Sequence, residues 1–309
     1  MELLISCYNK IIIKINIFYF YNYFYLIIVM YLEILSKIIS ESLLSLYPIF
    51  VKYINLNFWL KIWSRFFIYV FISGFFINWK FVFNNILSKY GIALALVTIL
   101  HVYASYRGFL ILESGIAYTI FYLYPLIILL LAGEKIGFII ISALIGVIIL
   151  SYEKIDNFQN IFLKNKNTEN FKYEGVIMMI VAAFTEALIY FIVRNIKTNN
   201  NWNHLFISYA FGAIILSIYY WKDIKDIQLK SSLSVSLFIN IIIGLCGYLL
   251  RFYAMYNLST NIYAPLSYFG ILMAYIYGVI INKDTITLKK MIGSLFILIP
   301  NIYVLLKQS

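Results

Sequence analysis

Glu113-Ser-Gly-Ile-Ala-Tyr-Thr-Ile-Phe-Tyr-Leu-Tyr-Pro125, running on to Gly133-Glu134, decides how this chain is read. A second stretch follows the same plan: Leu258-Ser-Thr-Asn-Ile-Tyr-Ala-Pro-Leu-Ser-Tyr-Phe-Gly270, running on to Asp284. Each joins two long apolar segments and ends at an acidic residue before another apolar segment. The chain therefore reads as one pattern written twice. Duplicated membrane halves commonly meet around a central solute site, so the repeat points to transport.

Composition agrees with a membrane setting. Of 309 residues, 63% are hydrophobic and only 12% charged. Soluble domains are roughly 45–50% apolar and about 25% charged. The apolar residues fall in runs of about 17–25, the length that crosses a bilayer as helix. A net charge of +11 does not imply nucleic acid here, because Lys and Arg sit one to three at a time between apolar runs, as in membrane loops. Cys7 and Cys246 are far apart and show neither metal-ligand spacing nor a disulfide framework. Ile, Asn, Lys, Tyr and Phe are all abundant, as an AT-rich coding genome would make them. That background lowers the weight of any single aromatic residue.

Ten spans are expected, at about 32–53, 58–78, 88–107, 113–133, 136–152, 174–195, 203–221, 234–251, 259–281 and 288–306. Residues 1–31 form a hydrophobic N-terminal extension or anchor. The apolar run at 11–31 contains Lys14, Asn16 and Asn22 and lacks a small-residue cleavage site, which argues against a cleaved signal peptide. The long polar connection, 154–173, is the seam between halves at 32–153 and 174–306. Five spans per half is an odd number, so the second half must enter the membrane with opposite orientation. The expected fold is an all-α integral membrane protein with about ten transmembrane helices in two inverted five-helix repeats, with or without one extra N-terminal helix. Internal matches agree: Phe50-Val-Lys52-Tyr-Ile54 aligns with Ile192-Val-Arg194-Asn-Ile196, and Tyr103 and Tyr118 align with Tyr248 and Tyr263 at one shared offset. Basic residues do not sort to one side when the first span starts in the cytosol, so the positive-inside rule does not support that orientation.

These residues resemble the EamA-type domains of the drug/metabolite transporter superfamily. The first half offers Ser114-Gly115-Ile-Ala117, Tyr122-Leu-Tyr-Pro125 and Gly133-Glu134. The second offers Ser259, Ala264-Pro265-Leu-Ser-Tyr268, Asp284 and Ile292-Gly293-Ser294. The likeness covers roughly residues 32–306, and order and spacing carry it rather than any one motif. Three features depart from the family pattern. Pro125 to Glu134 is about one helical turn short, Asp284 stands where Glu is usual, and Gly270 occupies the place matching Pro125. What the resemblance implies is a ten-helix carrier of small organic solutes.

Charge within a span is the sharpest signal, because an ionised side chain near a helix centre costs about 2.5–3.5 kcal/mol on insertion scales. Glu186 lies near the middle of the sixth span and reads as a cation-binding or protonatable carboxylate, or as a structural partner of a nearby Tyr, Ser or Arg. Glu41 lies in the first span beside Ser42 and Ser45. Lys52 and Arg194 occupy matching ends of spans one and six, as charge gates for an anionic solute or as snorkelling chains. Arg65 is deeper and reads as a third charge gate or as a structural partner able to neutralise Glu41 or Glu186. Arg107 and Arg251 read as interface anchors. His101 is either a proton relay or a satisfied core histidine. Tyr118 and Tyr122 share a face, as do Tyr263 and Ser267. With Tyr190, these are expected to line a solute cavity, against the alternative of interfacial aromatic packing. Gly270, Ala274 and Gly278 recur every four residues, a spacing that suits close helix packing within the fold or a homodimer face.

There is no nucleotide-binding loop, no Gly-x-Ser-x-Gly, no His-Glu-x-x-His and no paired metal carboxylates in the sequence. No cofactor and no metal are expected. The expected function is a multi-pass carrier of a small solute, working in a lipid bilayer by alternating access and driven by a gradient or by exchange. The rivals are a non-transporting membrane scaffold and a membrane-embedded transferase.

Overall fold

The computed structural model describes residues 31–149 apart from Pro48, 52–53, Asn55, Glu113, 135–136, Ile139, Ala143 and Val147, then 166–225, 231–282 and 288–307. Among these residues the secondary structure is helical, with no strand. In chain order the helices are α1 (Tyr31–Val51), α2 (Phe58–Ser73), α3 (Trp79–Ile86), α4 (Lys89–Ile111), α5 (Ser114–Phe121), α6 (Tyr124–Leu131) and α7 (described residues of 138–149). After the seam come α8 (Lys166–Asn195), α9 (Asn201–Tyr219), α10 (Trp221–Lys225), α11 (Ser231–Asn257), α12 (Thr260–Ser267), α13 (Phe269–Asn282) and α14 (Leu288–Lys307). Six of the helical segments are long and apolar enough to cross a membrane: Tyr31–Val51, Lys89–Ile111, Tyr173–Asn195, Asn201–Tyr219, Leu237–Asn257 and Thr260–Ile281.

Polar caps set where several helices begin. The Asn57 side chain accepts from Leu60 N at 2.8 Å, Asn78 from Phe81 N at 3.1 Å, Ser88 from Gly91 N at 3.1 Å and Asn200 from Trp202 N at 3.0 Å. Each satisfies one of the amide groups a helix start leaves open. Gly133 closes α6 with φ +69, in the left-handed region open to glycine.

Several elements differ from the sequence expectation. The span expected at 113–133 is two pieces, α5 and α6, parted at Tyr122-Leu123. The span at 259–281 is likewise α12 and α13, with a turn at Tyr268. Span two stops at Ser73, and a separate helix, α3, follows. The span drawn at 234–251 continues to Asn257. Helix α8 starts at Lys166, inside the stretch expected as a loop. Residues 1–30, Pro48, Lys52, Ala143 and Asp284 lie outside the described residues.

The surface and the interior are inverted relative to a soluble protein. Phe71, Phe75, Phe83, Phe138, Ile218, Tyr219 and Phe238 are all exposed. Lys37, Glu41, Arg65, His101, Glu186 and Arg251 are buried. A lipid solvent favours this arrangement, because polar groups must find partners inside.

Close helix contacts position that interior. Helix α4 lies along α8, where a Cβ at Gly175 would stand 2.7 Å from Leu112 Cγ and one at Gly108 would strike Met179. Helix α1 lies along α11: Ser40 Oγ donates to Gly247 O at 2.8 Å, and a Cβ at Gly247 would be 2.7 Å from Leu44 Cγ. Helix α2 packs on α9, α6 on α12, and α5 on α13. Ser142 on α7 donates to Phe296 O on α14 at 3.1 Å.

Candidate functional site

Each charge carried into the interior needs a partner, because the insertion penalty is otherwise uncompensated. The partners come from both halves of the chain. Arg251, on α11, is the hub. Its Nη2 donates to Glu41 Oε1 at 2.9 Å and Oε2 at 3.0 Å, and its Nη1 donates to Glu186 Oε1 at 2.9 Å. On α1, Lys37 lies one turn before Glu41, and its Nζ meets Glu41 Oε1 at 2.5 Å. Two hydroxyls complete the carboxylate: Tyr122 donates to Glu41 Oε2 at 2.9 Å and Tyr124 to Oε1 at 3.0 Å. Lys37 Nζ also stands 3.6 Å over the Tyr263 ring, a cation–π contact.

Gly270 is part of this arrangement. A Cβ there would strike the Tyr122 hydroxyl and lie 2.9 Å from Glu41 Oε2. The first glycine of the Gly270-Ala274-Gly278 stripe is therefore used within the chain, letting α13 approach the Tyr122–Glu41 bond.

His101 adjoins the second carboxylate. Its Nδ1 is 3.1 Å from Ala182 O and 3.2 Å from Thr185 Oγ1, and its Nε2 is 3.2 Å from the Tyr248 hydroxyl. A carbonyl only accepts, so the proton of a neutral ring is assigned to Nδ1, and Nε2 accepts from Tyr248. Glu186 Oε2 is 3.3 Å from Nε2, close enough for an ion pair. Yet this oxygen has no hydrogen-bond partner among the described residues. The two observations agree if Nε2 carries no proton: the atoms are near, but nothing is donated. A second proton on His101 would fill that gap.

Arg65 does not neutralise Glu41 or Glu186, contrary to expectation. It sits 2% exposed among tyrosines. Its Nη1 donates to Tyr47 at 3.1 Å and Nη2 to Tyr209 at 2.6 Å. The guanidinium carbon is 4.7 Å from the Tyr248 ring centroid, and Tyr69 and Tyr106 flank it. Tyr47 and Tyr106 also share a hydroxyl–hydroxyl bond. No carboxylate of the described residues pairs with Arg65, and its Nε has no partner.

Between the two arginines lies a cavity of only about 30 Å³, bordered by Arg65, Arg251, His101, Ser105, Tyr118 and Tyr122, with Tyr248 and apolar Leu44, Phe109 and Phe121. A typical solute pocket is about 300–1,000 Å³. The roomy pocket expected from the sequence is thus closed down in this conformation. His101, Tyr118 and Tyr122 border it. Glu41 and Glu186 lie in the ion network beside it. Tyr190 stacks against Tyr263 at 4.8 Å between centroids, and Ser267 donates to Tyr263 O at 2.8 Å.

The other basic residues are accounted for locally. Arg194 Nη1 donates to Leu258 O at 2.6 Å, Met255 O at 3.1 Å and Tyr190 at 3.1 Å, capping the end of α11. Arg107 pairs with Glu174 at 2.6 Å, both about one-third exposed. Lys52 lies outside the described residues. Arg251, expected at a membrane interface, is instead 1% exposed and central. Tyr124 was not singled out by sequence either; its position beside Pro125 was the available signal. Among the described residues no cluster of His, Cys, Asp or Glu could hold a metal.

Residues 173–305 match the EamA-like transporter family. The match runs from α8 into α14, and so includes Glu186 and Arg251. No curated protein matches the chain. A solved structure described only as "Crystal structure of protein" resembles it with a TM-score of 0.65 at 13% identity, over 90% of this chain and 98% of the other. At that identity the likeness speaks to the fold alone. With its apolar spans, the EamA-like match over residues 173–305 makes this an integral, multi-pass membrane protein.

Proposed function

We propose that this EamA-like membrane protein carries a small organic metabolite by alternating access, with residues 32–153 and 174–306 as two inverted five-helix repeats of ten spans in all. The observation that carries this reading is the ion network: Glu41 from one half and Glu186 from the other share one guanidinium, on Arg251. A scaffold gains little from such a junction, since buried ion pairs seldom add net stability over apolar packing. A carrier needs a contact between halves that can be made and broken.

Three features support the inverted repeat. The α4–α8 contact has a counterpart in α1–α11. The α5/α6 break has a counterpart in the α12/α13 turn. Helix α2 packs on its own repeat mate, α9, and α7 meets α14. Rocking of one half against the other would open the closed cavity beside Arg251 to each side in turn.

Proton movement is the coupling this site favours. The gap between His101 Nε2 and Glu186 Oε2 accommodates one proton, and its arrival would compete with Arg251 for Glu186. Vesicles containing the full chain test this reading. Uptake of amino acids, sugars, nucleotide sugars and monocarboxylates is measured with and without a proton gradient, in wild type and Glu186→Gln. Gradient-driven uptake that Glu186→Gln uncouples is expected. Fully proton-dependent uptake in that variant eliminates Glu186 as the coupling group, and no uptake of any solute sinks the carrier.

A membrane-embedded transferase is the weaker alternative. It needs catalytic groups open to a membrane face, whereas His101, Glu41 and Glu186 are all buried.

A further inference from the structure

We propose that the solute is a small organic monocarboxylate, held by Arg65 and Arg251, which both border the central cavity beside Tyr248. The proposal rests on the carrier reading and adds the charge class of what is carried.

The argument begins with an imbalance. Lys37, Arg65 and Arg251 are buried cations around the central cavity, and Glu41 and Glu186 are the buried carboxylates beside them; Lys61, one turn before Arg65, is also buried and donates to Val51 O at 3.3 Å. The first network is complete in itself: Lys37 and Arg251 balance the two carboxylates. Arg65 is left over. Tyrosine hydroxyls and ring faces solvate it, but they carry no countercharge. A full charge at such depth without a counter-ion is disfavoured. A carboxylate beside Arg65 would supply the countercharge that its tyrosine shell lacks.

Geometry then locates that charge. Both guanidinium carbons lie over the same Tyr248 ring, Arg65 at 4.7 Å from its centroid and Arg251 at 5.6 Å. Both residues border the central cavity. Each retains one donor, Nε, without a partner among the described residues. Two free N–H groups on arginines that border one small cavity suit the two oxygens of a carboxylate. Leu44, Phe109 and Phe121 give the lining an apolar part beside His101 and the tyrosines, so an apolar or aromatic group can accompany the carboxylate. The Ser105 hydroxyl, already donating to Val102 O at 3.2 Å, keeps acceptor capacity toward the cavity.

The test uses the full chain, purified in detergent and also reconstituted in vesicles. Thermal stability is followed with benzoate, lactate, inorganic phosphate, choline and glucose. Counterflow of the same five, radiolabelled, is measured in parallel. Benzoate or lactate is expected to stabilise the protein and to exchange. Arg65→Gln should weaken both effects at least tenfold, and Arg65→Lys should keep part of them. Size-exclusion profiles confirm that the variants fold, and Tyr248→Phe serves as a milder second variant, retaining carboxylate preference. Exchange of choline or glucose without carboxylates, or carboxylate exchange unchanged in Arg65→Gln, overturns the assignment and leaves the carrier standing. Carboxylate binding without exchange of any solute keeps the anion site and removes the carrier. Neither binding nor exchange removes both.

Discussion

Arg251 donates from one amino group to both oxygens of Glu41, 210 positions earlier in the chain, and from the other to Glu186. One guanidinium thereby ties α1 to α8 through α11. Because all three residues are buried, removing any one strands a charge in a medium that does not solvate it.

Arg251→Gln should therefore destabilise the protein by about 3–5 kcal/mol, the usual cost of breaking a buried pair from one side. In the Arg251→Gln background, Glu186→Gln should cost much less than it does alone, because it removes the stranded charge. Thermal unfolding of the four proteins in detergent measures this coupling. Additive losses would mean that the two side chains do not interact.

The Arg107–Glu174 pair offers a contrast in the same chemistry. Both side chains are about one-third exposed, where an ion pair is worth about 0–1 kcal/mol. Glu174→Gln should shift the unfolding midpoint little, and added salt should narrow the difference further. A loss as large as that from Arg251→Gln would show that exposure is not what separates the pairs.

Gly270→Ala should disrupt the Tyr122–Glu41 bond, since the new methyl group would occupy the space of the Tyr122 hydroxyl. Overpacking of this kind costs about 1–3 kcal/mol. Tyr122→Phe removes the colliding oxygen, so Gly270→Ala should be less harmful in that background. An equal cost in both backgrounds would place the clash elsewhere.

Arg194→Ala should leave the Met255 and Leu258 carbonyls without their charged donor. Loss of such a bond from a partly buried site costs about 1–3 kcal/mol. Hydrogen exchange is expected to accelerate at the α11–α12 junction and not at α2. Unchanged exchange at 255–260 would refute the capping role.

Much of this was legible in the sequence. Glu41 and Glu186 stand out because a carboxylate within an apolar run has few innocent explanations. The paired breaks are not read from the sequence, where 113–133 and 259–281 look like continuous apolar spans. Arg251 was not legible, and the reason is physical. Apolar segments read from sequence are naturally ended at a charge, so the span closes at 251, whereas the helix continues to Asn257 and keeps Arg251 six residues inside its end. Its partners lie 65 and 210 residues away, and no local spacing reveals them. The tyrosines around Arg65 were obscured differently. In a chain with 29 tyrosines, Tyr47, Tyr106, Tyr209 and Tyr248 look like background until the fold brings them around one cation.

The separation of Glu186 from Arg251 has a further consequence for biosynthesis. Lys37 and Glu41 can satisfy each other as soon as α1 forms, being one turn apart. Glu186 leaves the ribosome 65 residues ahead of its guanidinium. Until α11 arrives, α8 carries a carboxylate without that partner, which costs about 2.5–3.5 kcal/mol on insertion scales.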